Sequence, residues 1–132
     1  SNACSAHNAG EEIAINDLEH GLHVFSSSTE FDIQSAKADR AFGLFATIAQ
    51  HGSGELEPVN YVDKMAPLLA DHTCGNGSAD PRDAVCVHNE ISGTVSSSII
   101  FYSDVAQKMQ TFYCAGSPCR AKFTRYPDVG VR

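Results

Sequence analysis

Cys74, Cys86, Cys114 and Cys119 are the side chains of this 132-residue sequence whose type and spacing announce chemistry most plainly. A thiol can close a disulfide, ligate a metal or act as a nucleophile, and its neighbours and compartment decide which. An even set at short spacings in a small chain reads as disulfide staples. The spacing predicts local pairs, Cys74–Cys86 and Cys114–Cys119, the second assisted by the turn-forming Ala115-Gly116-Ser117-Pro118 between its members. No Cys-x-x-Cys motif is present to favour a metal site or a redox couple. The chain is therefore expected in an oxidising compartment, the periplasm or the extracellular space. Cys4 is left over, and three roles stay open for it: the lipid-bearing first residue of an envelope protein, a third pairing partner, or a free thiol.

The histidines offer weaker chemistry. His20 and His23 would share a face of a helix and could hold a metal with Asp17 or Glu19. Gly21 between them and the alternation from His20 to Phe25 argue for a strand, where they point apart. No metal and no cofactor is expected. Asp71, His72 and Cys74 have the residue types of an activated thiol, but catalytic partners meet through the fold rather than along the chain. Gly-x-Ser-x-Gly, phosphate-loop and His-Glu-x-x-His motifs are absent. Asn76-Gly77-Ser78 is a glycosylation sequon in a loop, so Asn76 is a candidate acceptor.

Charge is unevenly distributed. Residues 1–104 carry a balance of −11 and residues 105–132 a balance of +4, within a net charge of −7. Such a chain is repelled by nucleic acid and anionic lipid unless its basic end is presented alone. Arg120, Lys122, Arg125 and Tyr126 form that end, and alternation along a terminal strand would gather Arg120, Lys122 and Tyr126 on one face. A cationic, aromatic-flanked strip of this kind can dock an acidic protein or an anionic glycan. The bland reading is that these bases neutralise the acidic body of their own chain.

The elements that must position these residues follow from periodicity. Ser1-Asn2-Ala3 reads as the remnant of a cleaved tag, with residues 4–18 an arm and 19–132 a single domain whose signal peptide has been removed. No apolar run is long enough to span a membrane. His20–Phe25 is expected as a strand. A helix of 15 to 20 residues should follow, with Ala38, Phe42, Phe45 and Ile48 at helical spacing. A second helix opens at Pro58, with Pro67 expected to kink it. Residues 73–83 form a loop and Asp83–His88 a short buried strand. Over 94–114 both patterns are present, and the helical face Ile99, Tyr102, Ala106, Met109 and Tyr113 favours a helix from Ser97. Cys119–Tyr126 is expected as the last strand.

These elements predict an α+β fold, a small antiparallel sheet with helices packed on one face, as a disulfide-stapled two-layer sandwich. The element order resembles the small secreted killer-toxin and effector folds of fungi, a likeness carried by no residue motif. The expected function is binding, as an effector, toxin-like or inhibitor-like module. The alternatives are a small hydrolase using His20, His23, His72 or His88, and a lipid-anchored envelope protein resting on Cys4.

Overall fold

The computed structural model describes residues 3–8, 10, 12–25, 35–50, 58–103, 105–127 and 129–130. Two helices and two antiparallel sheets make up a small α+β fold. The first sheet is a hairpin of β1 (Ala3–Asn8) and β2 (Ile13–Leu18), with Cys4 opposite Asp17. The N-terminal stretch, expected as an arm, is a hairpin of paired strands. Residues 20–25, expected as a strand, form a bend at 20–21 and no strand.

Helix α1 (Ala36–Gln50) begins where Ser35 caps it, its Oγ accepting from Ala38 N at 3.1 Å. Helix α2 (Pro58–Leu69) starts at a proline, whose fixed φ suits a first helical turn. Pro67 lies in the last turn of α2, where its missing donor does not divide the helix, and Ala70 N still bonds to Ala66 O at 3.1 Å.

The second sheet is built on a hairpin of β3 (Ser97–Ser103) and β4 (Lys108–Cys114), in register Ile99↔Phe112 and Phe101↔Gln110. The far edge of β4 takes two short strands, β5 (Thr124–Arg125) and β6 (Val129–Gly130). The helix expected from Ser97 is therefore a strand. Its β-branched and aromatic run Ile99-Ile100-Phe101-Tyr102 puts alternate residues on opposite faces. Ile99 is buried inward, while Ile100 and Tyr102 face out.

Helix α2 lies on the inward face of this hairpin. Val62 packs with Ile99 and Phe112, and Met65, Leu69, Phe101 and Phe123 close around them. Phe101 meets Phe112 edge-to-face at 6.0 Å. Helix α2 thus covers one face of the sheet, and α1 packs against α2. Among the described residues only three buried side chains, Val62, Ile99 and Phe112, make the helix–sheet core, while Ala38, Ala84, Cys86, Val87 and Cys114 are buried outside it. A chain of this length with so thin a core needs another source of cohesion.

Residues 70–94 carry no strand, contrary to the one expected over Asp83–His88. Two short 3-10 turns, Gly75–Gly77 and Pro81–Asp83, lead into an extended segment held by a single bridge, His88↔Gly93. The first turn lies against the start of α1 so closely that a Cβ on Gly75 would stand 1.7 Å from the carbonyl oxygen of Ala36. The terminal strand is also shorter than expected. Arg120 N and Ala121 N both bond to Ser117 O, so Cys119 and Arg120 sit in a turn and only Thr124–Arg125 pair. With these differences the element order no longer matches the one on which the toxin and effector likeness rested.

Candidate metal centre

All five cysteines are free thiols, and neither Cys74–Cys86 nor Cys114–Cys119 is closed. Cys74 Sγ donates instead to Asp80 O at 3.2 Å, and Cys114 Sγ to Gly116 O at 3.2 Å. The turn before Cys119 points that thiol elsewhere, toward His88. Cys4 is exposed on β1 and unpaired with another thiol.

The fold draws a different set together. One ligand atom each from His72, Cys86, His88 and Cys119 lies within 4.8 Å of all the others. His88 Nε2 stands 3.0 Å from Cys119 Sγ and 3.8 Å from Cys86 Sγ. The rings of His72 and His88 are 5.1 Å apart. Ligands of a tetrahedral zinc ion, at about 2.0–2.3 Å from the metal, stand roughly 3.3–3.8 Å from one another. The 3.8 Å pair already meets that figure, the 3.0 Å pair would open slightly, and the widest, at up to 4.8 Å, would close by about 1 Å.

Each donor is held by its own stretch of backbone. His72 follows the end of α2, and its Nδ1 donates to Cys86 O at 2.8 Å, leaving the Nε2 lone pair for a metal. Cys86 N donates in turn to Asp71 O at 2.8 Å, so the segments carrying the first two donors are stitched from both sides. Asp71 is itself fixed by Arg40 of α1, through Nε at 2.9 Å and Nη2 at 3.0 Å. That guanidinium, together with bonds from Thr73, holds the Asp71 carboxyl below the usual carboxylate range. His88 sits on the limb of a tight turn, with Asn89 Oδ1 accepting from Ile91 N and Ser92 N, and Asn89 N donating to Ser92 O. The turn bearing Cys119 is docked to the same region by Ser117 Oγ, which donates to Thr94 O at 2.6 Å.

The electrostatics suit ligation. Burial lowers the His88 pKa, and the neighbouring charges of Arg120 and His72 lower it further, so the ring is neutral and ready to donate a lone pair. Burial, with the hydrogen bond to Cys119, raises the Cys86 thiol. Two thiols this close cannot both ionise without a cation between them. A dication supplies that charge.

The other residues singled out from the sequence fall elsewhere. His20 is exposed, and His23 bonds Glu19 O at 2.9 Å; neither belongs to a group of three or more metal-donor side chains among the described residues. Asn76 is exposed with a φ of 50°, and its Nδ2 donates to Asp39 Oδ2 at 2.7 Å, so a glycan on Nδ2 would compete with that bond. The basic strip is divided. Arg120 lies beside His88. Lys122, Arg125 and Tyr126 line a groove of about 420 Å³ together with Tyr113, Thr124 and Pro127.

His72 and His88 entered the sequence analysis only as acid–base candidates, and Cys86 and Cys119 as members of different staples. One local signal was available. In Cys86-Val87-His88 an extended backbone turns residues two apart toward the same side. The partners at 72 and 119 lie too far along the chain to be read from spacing. No protein family, characterised protein or solved structure matches this chain, so the geometry alone carries the functional reading.

Proposed function

We propose that this protein is a zinc-binding domain in which His72, Cys86, His88 and Cys119 hold one Zn²⁺ as a structural centre. The observation that carries this is the convergence of two thiols and two imidazoles, from three separate segments, within 4.8 Å. Two sulfur and two nitrogen donors in a compact cluster suit Zn²⁺ rather than Mg²⁺ or Ca²⁺, which take oxygen. Four protein donors complete a tetrahedron and leave no position for a reacting water. The paired histidines therefore support a structural ion better than a hydrolase. Asp71, the nearest carboxylate in sequence to His72, is engaged by Arg40 and does not serve as a general base.

The ion would add the cohesion that a thin core lacks, tying the end of α2, the 86–94 turn and the 117–121 turn into one unit. The domain so held is a binding module. Location outside the cytoplasm remains a separate proposal, since the staples on which it was based are not among the bonds of the fold. No helix among the described residues is long and apolar enough to cross a membrane.

Elemental analysis of the protein purified without chelator tests the reading. One equivalent of zinc per chain is expected, falling below a tenth in Cys86→Ser and His88→Ala, together with thiolate-to-cobalt charge-transfer absorption when Co²⁺ replaces zinc. Absence of metal uptake with reduced thiols, or a Cys86–Cys119 disulfide in protein that takes up no metal after reduction, would overturn it.

A further inference from the structure

Cys86 and Cys119 are the two sulfur donors of the proposed centre, and their surroundings differ. Cys86 is fully buried and pinned through its backbone, its N–H donating to Asp71 O at 2.8 Å. Cys119 is exposed on the 117–121 turn, which Ser117 Oγ ties to Thr94 O at 2.6 Å. The two sulfurs lie within 4.8 Å of each other, and His88 Nε2 stands 3.8 Å from the first and 3.0 Å from the second. The remaining thiols are placed elsewhere. Cys74 Sγ donates to Asp80 O and Cys114 Sγ to Gly116 O, both at 3.2 Å, and Cys4 belongs to the separate β1–β2 sheet.

We infer that the centre is a redox switch, in which a peroxide joins Cys86 to Cys119 as a disulfide and so releases the zinc, and a thiol reductant restores the site. The switch rests on the zinc reading above and names what regulates it. A tetrahedral ion would hold the two sulfurs about 3.8 Å apart, against about 2.05 Å in a disulfide, so closure needs a movement of about 2 Å. That movement falls to Cys119 on its exposed turn, because Cys86 is buried and bonded. Exposure also makes Cys119 the sulfur that meets the oxidant. Its thiolate attacks the peroxide, the O–O bond breaks, and a sulfenic acid forms as hydroxide departs. Cys86 Sγ then attacks Cys119 Sγ, forming the S–S bond and expelling a second hydroxide. Two thiolates, one hydrogen peroxide and two protons become one disulfide and two waters, the sulfurs giving up the two electrons that the peroxide gains. Only His72 and His88 are then left to the ion, because sulfurs joined in a disulfide are no longer thiolate ligands. The disulfide still ties the 86–94 turn to the 117–121 turn, while His72 at the end of α2 is let go. A reducing compartment favours the zinc form and an oxidising one the disulfide.

Peroxide treatment of the zinc-loaded full chain tests the inference, in a Cys4→Ser background that prevents pairing between copies through that exposed thiol. A small excess of hydrogen peroxide is added beside a chromogenic chelator, with untreated protein as the baseline. One zinc ion is expected to be released for each Cys86–Cys119 disulfide mapped by peptide mass. Dithiothreitol should then return both thiols and full zinc uptake. A chain that holds no zinc before treatment fails the metal centre, and the switch with it. A loaded chain that keeps its zinc under peroxide overturns the switch and leaves the metal centre standing. Release with Cys86 and Cys119 oxidised to sulfinic acids, or paired to Cys74 or Cys114 instead, overturns it equally.

Discussion

Asp71 and Arg40 form a two-point ion pair, Nε to Oδ2 at 2.9 Å and Nη2 to Oδ1 at 3.0 Å, that joins α1 to the segment carrying the first metal donor. The same aspartate offers its backbone carbonyl to Cys86 N at 2.8 Å. Two donors of the centre are thus positioned by a residue that ligates nothing.

Asp71→Asn should keep the backbone bond but lose the paired charge. The pair is partly exposed, so the cost to stability should be about 1 kcal/mol, while zinc affinity should fall by roughly tenfold through loosened placement of His72 and Cys86. Competition with a chromophoric chelator reads the affinity and thermal melting reads the stability. An affinity unchanged alongside a lowered melting temperature would show that the pair serves the fold alone.

Gly75→Ala should be among the most damaging single-atom additions to this chain. The added Cβ would meet the carbonyl of Ala36, a backbone atom at the start of α1 that cannot move aside without uncapping the helix. A loss of about 2–3 kcal/mol is expected in denaturant unfolding. Gly77→Ala makes the contrast: nothing crowds its Cβ, but its φ of 70° is unfavourable for alanine, so a smaller loss of about 1 kcal/mol is expected.

Phe112→Ala removes the ring that joins β4 to Val62, Ile99 and Phe101. With so few buried side chains to share the loss, about 3–5 kcal/mol is expected. Zinc should still bind the folded fraction, because no donor lies on β4. Loss of metal from folded Phe112→Ala protein would contradict this division between core and centre.

Asp80 tests the electrostatics of the loop. Its carboxylate accepts from the side chain and backbone of Arg82, which lowers its pKa from 3.8 to about 2. The sign follows from that direction. Any stability from this pair is complete above the unfolded value of 3.8 and fades as pH falls toward the folded value of about 2. Carbon-detected NMR titration should find the Asp80 midpoint near 2, returning toward 3.8 in Arg82→Ala. An ordinary midpoint in the wild-type chain would show that the pair does not persist in solution.

The helices were legible in the sequence because their signals are local. Apolar residues recur at three and four from Ala38 to Ile48, and Pro58 opens the second helix. Residues 97–114 were misread for a definite reason. The run Ile99-Ile100-Phe101-Tyr102 has strand chemistry, but no Gly, Asn-Gly or Pro marks a turn between the strands. Gln107 takes the left-handed conformation there, with φ of 47°, where glycine or asparagine is the usual signal. Without a visible turn, helical periodicity across the gap prevailed. The metal centre was illegible for a related reason. Its donors come from a helix end, an extended segment and a turn, and only tertiary packing gathers them. The absent Cys-x-x-Cys argued against metal, yet a ligand pair can be one cysteine and one histidine two residues apart.

His88 and Cys119 touch at 3.0 Å across 31 residues of chain, and the whole β3–β4 hairpin lies between them. Closing the fourth donor onto the other three would therefore also close a loop that contains the hairpin. An ion held by all four would tie that hairpin to the segments before and after it, so that removing the ion should loosen the sheet and the 70–94 region together.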